Sequence, residues 1–131
     1  MTSKGKVLLM DDEQVILDVT NEVLKFLGYE VMFARDGAAA IELYRREREK
    51  GNPFDLVILD LSVPDGMGGK EASEKLRALN PDARIVISSG FTNDPMLTDY
   101  ASFGLSGVLA KPYRITEIKA LLETMIPPQR T

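Results

Sequence analysis

Short apolar runs alternate with longer amphipathic stretches along this chain. The runs are Val7-Leu8-Leu9-Met10, Tyr29 to Ala34, Leu56-Val57-Ile58-Leu59, Ile85-Val86-Ile87 and Val108-Leu109-Ala110. Four of the five are nearly continuous in apolar residues, the pattern of strands buried on both faces of a parallel sheet. They are too short for buried helices. The run from Tyr29 is more mixed, which places it nearer an edge.

The stretches between them have helical spacing. Ile16, Val19, Val23, Phe26 and Leu27 recur every three or four residues, and Gly28 follows as a stop. Asp36 is placed to cap a second helix running to about Arg48. The mixed-charge run Arg45 to Lys50 reads as a solvated face. Lys70 to Leu79 predicts a third helix, ended by Asn80-Pro81, and Asp94 to Phe103 a fourth, ended by Gly104. Ile115, Ile118, Leu122 and Met125 stripe a fifth, ended by Pro127-Pro128. Strict alternation of strand and helix means right-handed crossovers and a parallel sheet covered on both faces.

Composition narrows the chemistry. The 131 residues carry 20 acidic and 16 basic side chains, a formal charge of −4, with no cysteine, histidine or tryptophan. Such a length suits one domain, here 1–131 with a core of about 5–126. An apolar content of 44% excludes global disorder. Disulfides, thiolate metal sites, thiol nucleophiles and imidazole acid–base chemistry are excluded. Mild acidity argues against direct nucleic-acid binding. The short apolar runs predict no spanning helix and no signal peptide, hence a cytoplasmic domain.

The informative residues follow the apolar runs. Asp11, Asp12 and Glu13 come after the first, Asp60 after the third, Ser88 and Ser89 after the fourth, and Lys111-Pro112 after the fifth. In an open α/β sheet, ligands bind at the carboxyl ends of the strands. Helix capping could account for Asp12 or Glu13 alone. It does not account for Asp60, which Leu61-Ser62-Val63-Pro64 separates from any helix, nor for Lys111 before a proline. Clustered carboxylates repel unless a cation sits among them, and magnesium takes such hard oxygen ligands. A carboxylate can also attack phosphorus and form an aspartyl phosphate, which needs mainly positioning and charge neutralisation.

These residues resemble the receiver domain of two-component response regulators over essentially the whole chain. The matching pieces are Met10-Asp11-Asp12-Glu13, Leu59 to Pro64, Ile87-Ser88-Ser89-Gly90 and Leu109-Ala110-Lys111-Pro112-Tyr113. Each is weak alone; in this order and spacing they are specific. The resemblance implies a flavodoxin-like (βα)5 doubly wound α/β fold with strand order 2-1-3-4-5. It implies Asp60 as phosphoacceptor and Asp11, Asp12, Asp60 and the Ser62 backbone carbonyl as Mg2+ ligands. Lys111 would pair with phosphate or carboxylate oxygens, aimed by a cis peptide before Pro112. Family spacing makes Ser89, 29 residues after Asp60 and 22 before Lys111, the switch hydroxyl. Ser88 would point to the other side.

One position departs from the family. An aromatic residue often stands three before the lysine and turns inward on activation; here it is Val108. Tyr113 and Phe103 read as ordinary packing. The loop Pro64-Asp65-Gly66-Met67-Gly68-Gly69 carries three glycines that permit unusual torsions. This loop, with Ser89-Gly90-Phe91 and Asn93-Asp94-Pro95, looks most like receivers attached to hybrid sensor histidine kinases.

The resemblance implies a phosphorelay partner: a histidine kinase or a histidine phosphotransfer domain, with the remainder of a hybrid sensor kinase as a candidate neighbour. It implies no direct nucleic-acid or membrane partner, and it admits a homodimer. It makes the chain a signalling module rather than an enzyme with a separate substrate. The alternative is a haloacid-dehalogenase-like phosphatase, which would carry its nucleophile after the first strand and a second Asp two residues on. Here that second position is Glu13. A receiver without chemistry would lack some of these residues, and the acidic first loop would repel a flavin phosphate.

Overall fold

The computed structural model describes residues 4–61, 67–90, 95–111 and 113–126. The elements are β1 (Lys6–Met10), α1 (Gln14–Phe26), β2 (Glu30–Ala34), α2 (Gly37–Glu49), β3 (Leu56–Asp60), α3 (Gly69–Leu79), β4 (Ile85–Ser89), α4 (Pro95–Thr98), a 3-10 turn (Tyr100–Phe103), β5 (Gly107–Ala110) and α5 (Ile115–Met125). All strand pairs are parallel, in the order β2-β1-β3-β4-β5. The mixed run from Tyr29 is indeed an edge strand, and its residues are mostly half-buried or exposed.

Side chains alternate across the sheet, so each central strand feeds two cores. Leu8, Met10, Val57, Leu59, Ile85 and Ile87 face Ala40, Tyr44, Ala72 and Leu76 of α2 and α3. Val7, Leu9, Leu56, Ile58 and Val86 face Leu17 and Leu24 of α1 and Ile118 and Leu122 of α5. Burial on both faces is why the interiors of β1 and β3 are apolar, with polar residues only at the first position of β1, Lys6, and the last of β3, Asp60.

Local signals set most boundaries. Gly28 takes the left-handed conformation that stops α1. The Asp36 side chain accepts a hydrogen bond from Ala39 N at 2.9 Å and starts α2.

Three expectations need correction. The sheet-facing stripe of α1 is Leu17, Thr20 and Leu24, while Val19 and Phe26 are exposed, Phe26 by 84%. A buried threonine reads as polar in the sequence and hides the true face. The predicted helix from Asp94 to Phe103 breaks at Asp99, whose backbone is not helical, into α4 and the 3-10 turn; Asp94 itself lies outside the described residues. The run Arg45 to Lys50 is solvated except at Glu47, which is buried and paired with Lys6 Nζ at 2.6 Å. That ammonium also donates to Asn52 O at 2.9 Å and lies 4.7 Å from the centre of the Phe54 ring.

Candidate functional site

The sheet delivers its polar residues to one edge. Asp11 directly follows β1, Asp60 and Ser89 end β3 and β4, and Lys111 directly follows β5. Because β1 and β3 are neighbours, the two aspartates stand side by side at the point where the chain switches direction across the sheet. Ladder bonds continue just beyond the strands: Asp11 N to Ala34 O at 3.1 Å, Leu61 N to Ser88 O at 2.9 Å and Lys111 N to Ser89 O at 3.1 Å. The functional side chains therefore project from rigid backbone.

Asp11 and Asp60 are buried and Asp12 is half-buried. One carboxylate oxygen from each lies within 4.8 Å of the others. Lys111 Nζ lies 2.6 Å from Asp11 Oδ2 and 3.4 Å from Asp60 Oδ1. Asp11 Oδ1 accepts from Glu13 N at 2.9 Å, which folds the first loop back on the carboxylate. Burial pulls the Lys111 ammonium down, but contact with Asp11 and the charge of Asp60 outweigh it, leaving its pKa above the usual lysine value.

Lys111 contacts two of the three carboxylates, Asp11 and Asp60, so the cluster holds more acidic groups than cations among the described residues. Asp11 Oδ2 is close to that lysine but has no well-aligned hydrogen bond among the described residues. A set of carboxylate oxygens from three residues, all within 4.8 Å of one another, fits a hard divalent cation. Asp11, Asp12 and Asp60 are the described residues able to hold it. The Ser62 carbonyl, the Pro112 peptide and the loop from Pro64 to Gly66 lie outside the described residues.

The two serines separate. Ser88 is fully buried and accepts a hydrogen bond from the Tyr113 hydroxyl at 2.7 Å. Ser89, the adjacent strand residue, is also buried and presents its side chain to the opposite face. Burial pushes the Tyr113 hydroxyl up to about 12, against the opposing pull of Ser88 and Lys111. Tyr113 reads as plain packing in the sequence because its hydroxyl partner, 25 residues earlier, leaves no local signal. Val108 is half-buried on β5.

Gly69 shows a second constraint. A Cβ built there would lie 2.7 Å from the Asp60 carbonyl oxygen. Its φ is not positive, so this glycine serves close approach rather than the unusual torsion expected from the loop. The start of α3 thus rests on the backbone of Asp60 itself.

Residues 7–123 match the family described as the response regulator receiver domain. The chain is similar to sporulation initiation phosphotransferase F of Bacillus subtilis, 30% identical over 122 residues, covering 93% of this chain and 94% of that protein. It is 33% identical over 121 residues to the sensor histidine kinase AruS of Pseudomonas aeruginosa, a match covering 89% of this chain and 12% of that protein. A solved receiver domain of the sensor histidine kinase PA1611 from Pseudomonas aeruginosa, with a magnesium ion coordinated in its active-site cleft, matches with TM-score 0.80 at 25% identity. That match covers 93% of this chain and 97% of that one.

Proposed function

The chain belongs to the response regulator receiver domain family, and from that premise we propose that Asp60 accepts a phosphoryl group from a phosphohistidine on a partner protein. The observation carrying this reading is the position of Lys111 Nζ, 2.6 Å from Asp11 and 3.4 Å from Asp60, beside three clustered carboxylates. An Asp60 carboxylate oxygen attacks phosphorus, the P–N bond to the donor imidazole breaks, and the imidazole keeps the electron pair. Lys111 offsets charge on the transferring phosphoryl oxygens. Ser89 accompanies the phosphoryl group as the switch hydroxyl. Asp11, Asp12, Asp60 and the Ser62 carbonyl hold Mg2+, which neutralises phosphoryl charge when bound. Hydrolysis of the acyl phosphate at the same site resets the domain.

The domain spans 1–131 with a core of about 5–126 and works in the cytoplasm. A histidine kinase or a histidine phosphotransfer domain supplies the phosphoryl group. The relatives include both a protein of matching length and a sensor kinase of which the match is a small part. Both arrangements use the same chemistry on this domain. The signal is a population shift between two packings near α4, β5 and α5.

The test compares stoichiometric with catalytic use of a phosphodonor in Mg2+. One phosphoryl group per chain from acetyl phosphate supports the receiver reading. Sustained turnover of a generic phosphate ester overturns it in favour of a phosphatase.

A further inference from the structure

The first loop carries Asp12, which is half-buried. The last ladder bond between β1 and β2 is Asp11 N to Ala34 O. Beyond it the next residue of the β2 strand line, Arg35, continues the tie with its side chain. Arg35 Nη2 donates to Asp12 O at 3.0 Å and Nη1 donates to Gln14 Oε1 at 3.0 Å. Gln14 in turn donates to Asp18 Oδ1 at 2.8 Å, one turn into α1. The planar guanidinium fork therefore spans the peptide that follows Asp12 and the first residue of α1.

We propose that Arg35 is a positioning residue for the metal site: it fixes the backbone of Asp12 and so pre-sets the Asp12 carboxylate for a divalent cation. This rests on the reading of Asp12 as a Mg2+ ligand. Holding the Asp12 carbonyl anchors the peptide after Asp12, while the ladder bond from Asp11 N to Ala34 O anchors the chain before it, so the Asp12 backbone that carries the carboxylate is tied on both sides relative to Asp11 and Asp60. Arg35, Gln14 and Asp18 are exposed, so the fork does not hold the core together. The opposing effect is repulsion between the Arg35 charge and the cation. At an exposed position that charge is screened within about 8 Å at physiological salt, whereas the hydrogen bond to Asp12 O is direct. Positioning therefore dominates.

The experiment is a Mg2+ titration of the full chain followed by amide shifts in 15N NMR, at about 0.15 M and about 0.5 M salt. Arg35→Ala should weaken Mg2+ binding about three- to tenfold, below the 10–100-fold typical of groups that orient metal ligands, because this fork is solvated. The ratio should persist at the higher salt. The melting temperature without Mg2+ should stay within about 2 °C of the wild type. Arg35→Lys should fall between, since one ammonium cannot fork to both acceptors. Unchanged or tighter Mg2+ binding in Arg35→Ala, with Asp12→Ala clearly weakened, overturns this inference alone. A wild type without Mg2+ shifts around Asp11, Asp12 and Asp60, or an Asp12→Ala variant that binds as well as the wild type, overturns the Mg2+ ligand assignment and this inference together.

Discussion

The Lys111 ammonium lies 2.6 Å from Asp11 Oδ2, at the mouth of a site whose other near neighbour, Asp60 Oδ1, is 3.4 Å away. One cation thus serves two buried carboxylates on adjacent strands. Lys111→Met removes the only described cation in contact with them. The buried carboxylates are then left facing each other without that counter-charge, which should destabilise the fold. In urea unfolding without Mg2+, Lys111→Met should be less stable than the wild type by about 3 kcal/mol, and added Mg2+ should recover part of the loss. Equal stability of the two proteins without Mg2+ would contradict this role for the lysine.

Ser88 and Tyr113 form a closed pair. Tyr113→Phe leaves the fully buried Ser88 hydroxyl without its donor, and Ser88→Ala leaves the phenol without its acceptor. Each substitution should destabilise the fold by about 1–2 kcal/mol. The double variant should be less destabilised than the sum of the two, with a coupling of about 1 kcal/mol in urea unfolding. Additive losses would mean that the contact contributes nothing as a pair.

Tyr113 also predicts the alkaline limb of stability. Its folded pKa, raised by burial to about 12, lies above the unfolded value of 10.0. The folded state therefore binds the proton more tightly, and this contribution is complete below pH 10 and lost as pH rises towards 12. The gap corresponds to about 3 kcal/mol at most. Lys111, also raised, acts in the same direction above the usual lysine value. Unfolding curves of Tyr113→Phe should decline less steeply than the wild type across that window. Parallel curves would show that the phenol does not titrate with folding.

The acid limb has a different source. The hydrogen bond from Lys6 holds the Glu47 carboxyl below the usual carboxylate range, against the opposing effect of burial and with help from Lys50. Its folded pKa is depressed, so its contribution is present above the unfolded value and disappears as pH falls through the folded one. Glu47→Gln should flatten the loss of stability on acidification below about pH 4.3. A variant with the same acid profile as the wild type would remove this pair from the account.

Gly69 links the fold to the site. Gly69→Ala places a methyl 2.7 Å from Asp60 O, a contact the backbone cannot accommodate without moving. The substitution should cost about 1–3 kcal/mol and should shift the amide signals around Asp60. A variant as stable as the wild type with unshifted signals would show that the start of α3 has room to spare.

The alternation of elements was legible because strands buried on both faces leave unbroken apolar runs, and the exposed pattern of β2 marked it as an edge. The rim residues were legible for the same reason: Asp11, Asp60 and Lys111 stand where apolar runs stop. Long-range polar partners were not. Lys6 meets Glu47 across 41 residues, Tyr113 meets Ser88 across 25, and Arg35 meets Asp12 across 23. No local periodicity encodes such pairs, and a charge inside a mixed-charge helix looks solvated until its partner is known. The buried face of α1 is hidden in the sequence because Thr20, between Leu17 and Leu24, breaks the apolar pattern.

The most direct measurement is the intact mass of the chain after incubation with acetyl phosphate and Mg2+. One added phosphoryl group is expected, labile on standing and absent from Asp60→Asn. No adduct under these conditions, or an adduct that survives in Asp60→Asn, would contradict it.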